Sequence, residues 1–454
     1  MNETTTQNLG AVADLEAYQS RLTGPAWLGD LRSDALKKFG EVGWPSMSEE
    51  EWRRSNLSPF EFDAYELFPA SSGDEVTASP SPADAAAALS GRLDELDEIA
   101  VEGERAGLIS YANGSPVGFY LDEQVAAKGV RFGRLADVVA DPELDELART
   151  TLTRSLAEAD NRLIFWHFAM LGEITVLYVP ANVAVEQPFE AIHAYEGDEL
   201  VHAPHALVVL GRGAEASMIS RLHAAQDGEV LLVDGSEFVV EEGARLRYLN
   251  LQRLNEESVY FCNDRGNVGR DGHVHRTEAA LGSDFVKTRY ISELTGAGAD
   301  AVLNGIYFAT DEQHMDLRTV QQHRAPHTTS RAFYRGAVRD ESHAIYQGLI
   351  QVDHAAAGTD AYLTNKNLIL SEEARADSIP SLNISTDDVR CSHGSTTGRL
   401  DADQIFYLRS RGYSKVEARQ MLVEGYFEDL IVQTPKVVHD ELRELIMGRI
   451  AEDE

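Results

Sequence analysis

Arg245-Leu246-Arg247-Tyr248-Leu249-Asn250-Leu251 places apolar and polar side chains at alternating positions over most of its length. A period of two means a strand whose two faces meet different surroundings. Similar short runs, rich in β-branched and aromatic residues, lie on both sides of it. They include Ile174–Val179, Ala206–Leu210, Val230–Val233, Phe238–Val240, Ser258–Phe261, Phe285–Ile291, Ala301–Phe308 and His343–Val352. Glycines such as Gly228, Gly235, Gly305, Gly336 and Gly348 read as punctuation between strands. Few helical periods intervene between Glu173 and Asn383. The sequence therefore predicts one long β region of roughly 200 residues. Asp227-Gly228, Asp234-Gly235 and Asp271-Gly272 could form two-residue turns, but most of the strands have no such pair. Irregular turns favour a β-helix over a sandwich or barrel, although no strict repeat is present.

Outward from this core the texture changes. Leu15, Tyr18 and Leu22 recur at helical spacing, and helical patterns return at Ala83–Ile99 and Leu144–Leu156. Ala70 to Pro82 is rich in Ser, Ala and Pro and reads as a mobile linker. Downstream, Asp401 opens a helix that Gly412 ends, and Ser414-Lys-Val-Glu417 is a capping box. Ala418, Met421, Leu422, Gly425, Leu430 and Ile431 fall near one face of the helix that follows, and Val438 to Ile450 forms a third. The expected division is 1–165 mostly helical, with the linker at about 70–82; 166–398 β core; and 399–454 a helical module. The fold class is mainly β with α.

Charge narrows the function. Asp plus Glu is 75 against 40 Lys plus Arg, a net −35. Such a surface repels nucleic acid and anionic membranes. Only seven of the 40 basic residues are lysines. That balance points to a halophilic, acidic protein in a salt-rich cytoplasm, where screening makes self-repulsion tolerable. No segment reads as a signal peptide or membrane span, so a soluble cytoplasmic protein is expected. Two cysteines, Cys262 and Cys391, in 454 residues read as thiols of a reducing compartment.

Several chemistries are missing. There is no Gly-Lys dipeptide, hence no phosphate-binding P-loop, and no Cys-x-x-Cys, His-Glu-x-x-His or Gly-x-Ser-x-Gly. His273-Val-His275 with Glu278 resembles a cupin-type metal grip, since alternate residues of a strand share a face. The plainer reading is two polar residues on a solvent face. His323, His327 and His354 share no period and read as satisfied or surface histidines. The sharpest constellation is Asp387-Asp388-Val-Arg390-Cys391-Ser392-His393-Gly394. On an extended segment Cys391 and His393 face the same way, and a thiolate with an imidazole suits iron, copper or zinc. Two ligands do not close a site, so the rest must come from elsewhere or from another chain. Its plainer counterpart is a half-buried cysteine beside a loop histidine.

The same segment carries a family resemblance. Cys391-Ser-His-Gly-Ser-Thr-Thr-Gly398 followed by Gln404-Ile-Phe-Tyr-Leu-Arg-Ser-Arg-Gly412 resembles the signature of the SufB/SufD family of iron–sulfur cluster assembly scaffolds. His323-Arg-Ala-Pro326, Thr359-Asp360-Ala361 and Asn365-Lys-Asn367-Leu-Ile-Leu-Ser371 stand upstream in the family's order. Gly394, and the lack of a cysteine near Ala374, resemble the SufD branch. The resemblance implies a right-handed parallel β-helix core flanked by N-terminal and C-terminal helical domains. It implies a scaffold and not an enzyme, pairing with SufB through the β-helix and binding the SufC ATPase through the C-terminal helices, with a homodimer left open. Metal contact is implied for His393 and, less firmly, for Cys391, at a nascent, transient iron–sulfur cluster on the SufB interface. The resemblance also implies a reduced flavin in the assembled complex, and it assigns no flavin-binding residues in this sequence. The competing readings are a β-helix carbohydrate-active enzyme using paired carboxylates and the cupin-like metal protein.

Overall fold

The computed structural model describes residues 15–22, 24–67, 76, 78–93, 99 and 101–450. Most of the expected linker, 70–75 and 77, lies outside the described residues. Between Ile174 and Gly398 the chain winds as a parallel β-solenoid, alternating between two sheets. Sheet I is 11-stranded, and its main path ends in Val230–Val240, Val259–Val268, Phe285–Leu294, His314–His323, His343–Val352 and Arg375–Ile384. Sheet II is 10-stranded and ends in Arg245–Arg253, His273–Ala280, Asp300–Ala309, Thr329–Val338, Thr359–Ile369 and Val389–Gly398. Neighbouring strands within each of these runs are parallel. Arg318 pairs with Gln347, 29 residues later, which is one turn of the solenoid.

The alternation at Arg245–Leu251 now has a cause. Leu246 and Tyr248 point between the sheets into the main core. Leu249 and Leu251 point outward and are covered by the C-terminal helices, while Arg245 and Arg247 stay exposed. A solenoid strand packed on both faces reads as nearly continuous apolar sequence, and one whose outer face is covered on only part of its length shows apolar-in, polar-out alternation where that face is bare.

Gly305 and Gly336 are not punctuation. Both lie mid-strand, paired with Tyr334 and Tyr307 respectively. A side chain at either position would overlap that tyrosine's ring. The two glycines thus give up their side chains so that two buried tyrosines can cross between adjacent turns. Val230–Val233 and Phe238–Val240 likewise belong to one strand, running through Asp234-Gly235.

Helices Ala26–Glu41, Pro142–Ala157 and Arg162–Met170 cover the outer face of sheet I, burying Leu28, Leu152, Trp166 and Phe168 against Leu207, Leu231, Val233 and Phe261. The region before residue 165 is not only helical. Gly107–Ala112 and Ser115–Leu121 form an antiparallel hairpin on the edge of sheet II, and Arg131–Arg134 joins sheet I. Asn113 and Gly114 turn the hairpin with φ of 49° and 76°, values an Asn-Gly pair adopts easily. Helices Lys415–Ile431 and His439–Gly448 lie on the outer face of sheet II. No helix of the described residues is long and apolar enough to cross a membrane.

Candidate functional site at the end of the solenoid

Cys391 and His393 sit on Val389–Gly398, the last strand of sheet II. Their register partners one turn back are Ala361 and Leu363, both buried in the core between the sheets. The two side chains therefore continue the inward-facing row, as their spacing predicts. Among the described residues no further turn stacks on them, and this changes their surroundings. Cys391 is half-buried and packs against the core; His393 is exposed. Burial pushes the Cys391 thiol up, while a hydrogen bond with the Ala361 backbone acts the other way. Gly394 faces the opposite side, toward Tyr362 and Thr364, so it does not clear space beside His393.

The companion strand Arg375–Ile384 ends sheet I at the same level. On its inward row Leu382 is 41% exposed and Ile384 38%. Both sheets thus end in ten-residue strands with free backbone edges and an uncovered apolar row. An edge of this kind is a template for pairing with another chain. Among the described residues no three His, Cys, Asp or Glu side chains come together as a metal site. Cys391 and His393 supply two ligands at most. Both cysteines are free thiols, with Cys262 buried inside the solenoid.

Beyond Gly398 stands helix Ala402–Ser410, N-capped by Asp401, which accepts from the Asp403 N–H at 2.8 Å. None of its residues is buried; Phe406 is 74% exposed and Tyr407 55%. The next helix opens with the expected capping box: Ser414 Oγ accepts from the Glu417 N–H, and Glu417 Oε2 accepts from the Ser414 N–H. It buries Val423, Phe427, Leu430 and Ile431 against sheet II, and Ala418 is buried as well. Met421, expected on the apolar face, is exposed.

The cupin-like grouping is not assembled. His273 and His275 do share the outer face of sheet II, but Glu278 points into the solenoid, where Arg276 donates to it at 2.9 Å. Three positions of odd total separation cannot share one side of a strand. His323 is buried between Thr328 and Ser330, at 2.7 and 2.8 Å, and His354 is exposed, as expected for satisfied or surface residues.

A family model described as SUF system FeS cluster assembly, SufBD core domain, matches residues 193–426, just over half the chain. The chain belongs to the SufBD family. An iron–sulfur cluster assembly SufBD family protein of Mycobacterium tuberculosis is 32% identical over 297 residues, covering 60% of this chain and 74% of that one. The SufD protein of Bacillus subtilis is 24% identical over 424 residues, 93% of each chain. That of Escherichia coli is 28% identical over 307 residues, 66% of this chain and 71% of its own. The SufBD core match spans Cys391 and His393 and stops at Tyr426, inside the C-terminal helices. These relatives support the SufD branch and a role in iron–sulfur cluster assembly, and not the carbohydrate-active reading.

Proposed function

We propose that this chain is the SufD-like subunit of a SufBCD scaffold on which nascent iron–sulfur clusters are built and from which they are transferred. The observation that carries the reading is the open end of the solenoid, where two free strand edges, exposed Leu382 and Ile384, and the Cys391–His393 row meet. Pairing of these edges with the β-helix of SufB covers the apolar row and brings a second set of ligands to the two offered here. His393, exposed on the terminal turn and carrying an imidazole nitrogen able to bind metal, is the better placed ligand. Cys391 is the weaker candidate, because its half-buried thiol resists ionising. The cluster is cargo passing through the interface.

The chain has no P-loop, so in this reading ATP chemistry comes from SufC. Helix Ala402–Ser410, which has no fully buried residue and exposes Phe406 and Tyr407, supports docking of that subunit on the C-terminal module of residues 399–454. Residues 166–398 then form the scaffold core. The chain has no catalytic residues of its own and works in the cytoplasm, and any reduced flavin belongs to the complex. Affinity purification of the tagged chain from its native host under anaerobic conditions, with partner identification and iron and sulfide assay, tests the proposal. Recovery of SufB-like and SufC-like partners with iron and sulfide is expected. A chain that purifies alone and stays monomeric refutes it.

A further inference from the structure

His273 and His275 lie away from the solenoid's open end, on a groove of about 570 Å³ over the outer face of sheet II. A chain of hydrogen bonds fixes what His275 presents there. The Asp429 carbonyl can only accept, so the Gln433 amide nitrogen donates to it, at 2.6 Å. Gln433 Oε1 therefore faces Asn304 and accepts from Asn304 Nδ2 at 3.2 Å. The same Asn304 nitrogen lies 2.9 Å from His275 Nε2, which must accept. The proton of the neutral ring is left on Nδ1. Burial, with Arg247 next, keeps the ring neutral, its pKa lowered to about 4. His275 Nδ1–H has no partner among the described residues.

Arg247 is the register partner of both His275 and Ser217, and Arg245 of His273 and Glu215. Two residues apart on one strand, the two arginines point to the same side. Both are exposed, and among the described residues no carboxylate lies within ion-pair reach of either guanidinium. Such unpaired neighbours stand out in a chain where acids outnumber bases 75 to 40. Glu186 and Glu215 line the groove as well.

We infer that this groove binds the phosphate ester of a small hydroxylated molecule, with Arg245, Arg247 and His275 on the phosphate. The guanidinium fork matches phosphate oxygens, and a neutral N–H adds a third donor. The two carboxylates accept hydroxyl groups from the organic part. The groove falls within the range of small-molecule sites and is far larger than a lone phosphate requires.

The test is calorimetry on the full chain at fixed ionic strength, with ribose 5-phosphate, ribose and inorganic phosphate as probes. Ribose 5-phosphate is expected to bind and ribose not to. R245Q/R247Q should weaken binding by at least about tenfold with an unchanged circular-dichroism melt. If the double variant is unfolded, the single variants R245Q and R247Q, each altering one exposed side chain, give the same reading. Equal affinity for inorganic phosphate and the ester would overturn the contacts to the organic part and leave free phosphate as the source at the arginine site. Absence of binding by both phosphate probes, or binding that the arginine variants leave intact, overturns the inference.

Discussion

His167 Nε2 and His205 Nδ1 stand 2.9 Å apart where helix Arg162–Met170 packs on sheet I, and both rings are buried. The other nitrogen of His167 donates to the Val233 carbonyl, so one proton direction runs through both neutral rings. Burial lowers His167 to about 4 and His205 well below its ordinary value.

Acid should therefore loosen the fold well above the range where surface carboxylates titrate. Burial also holds His193 and His202 down to about 3, and His275, His314 and His323 to about 4. The unfolded chain takes up these protons near pH 6.5, the folded chain only below about 4, so stability falls as pH drops through that interval. Two buried acids oppose this. Asp234 and Glu237, raised by burial to about 7 and about 8, contribute stability that is lost as pH rises through the same interval. Seven imidazoles against two carboxyls leave a net loss of several kcal/mol toward acid, at about 1.4 kcal/mol per group and pH unit. Urea midpoints at constant salt should be lower at pH 5 than at pH 7. Equal midpoints would contradict the assignment.

Gly305 is the second test. Its Cα faces the Tyr334 ring with no space for a methyl group. Gly305→Ala should cost about 1–3 kcal/mol, the usual range for overpacking a filled core. A denaturation midpoint equal to wild type would mean that the tyrosine can move aside freely.

The same residue marks the limit of what the sequence discloses. Alternation over Arg245–Leu251 was readable because a strand's period is local. The partnership of Gly305 with Tyr334 was not, since register between turns lies nearly thirty residues away and no repeat advertises it. These glycines consequently read as turns. Asn113-Gly114 is a local hairpin signal, but it stands in a region dominated by helical patterns and went unread. The shared side of Cys391 and His393 followed from their spacing. Their exposure did not, because it depends on no further turn stacking above them. The Arg245–Arg247–His275 groove was hidden for the same reason: four successive levels of the solenoid assemble it.

Salt is the third test. A net charge of −35 repels itself, and the Debye length shrinks from about 10 Å at 0.1 M to about 3 Å at 1 M salt. The buried pairs Arg105–Glu190 and Arg276–Asp264 lie out of reach of that screening. A thermal melt should therefore rise with salt through relief of surface repulsion. A melt higher in dilute buffer sinks the halophile reading.

Phe406 offers a test of the C-terminal module that leaves folding intact. It contributes nothing to the core, being 74% exposed. Phe406→Asp should keep the melting temperature and SufB pairing while weakening ATPase-subunit capture by at least tenfold, as expected for losing a central aromatic contact. Truncation before Ser414 should abolish capture by removing the supporting helices. Undiminished capture by Phe406→Asp would place the docking surface elsewhere.

His393 decides whether the open end is a site or only an interface. An exposed side chain without a structural partner contributes little to folding, so His393→Ala should leave stability within about 0.5 kcal/mol of wild type. Assembly with SufB and SufC should also persist, because backbone edges and the Leu382–Ile384 row do the pairing. Cluster formation should not. The expected outcome is a complete complex, purified anaerobically, whose iron and acid-labile sulfide fall to background. Cys391→Ser should retain part of the iron and sulfide, because the thiol resists ionising, and should lower stability slightly through its contact with the core. An iron and sulfide content equal to wild type in His393→Ala would remove this residue from the assembly site. An unfolded variant would make it a structural histidine, which its exposure on the terminal turn argues against.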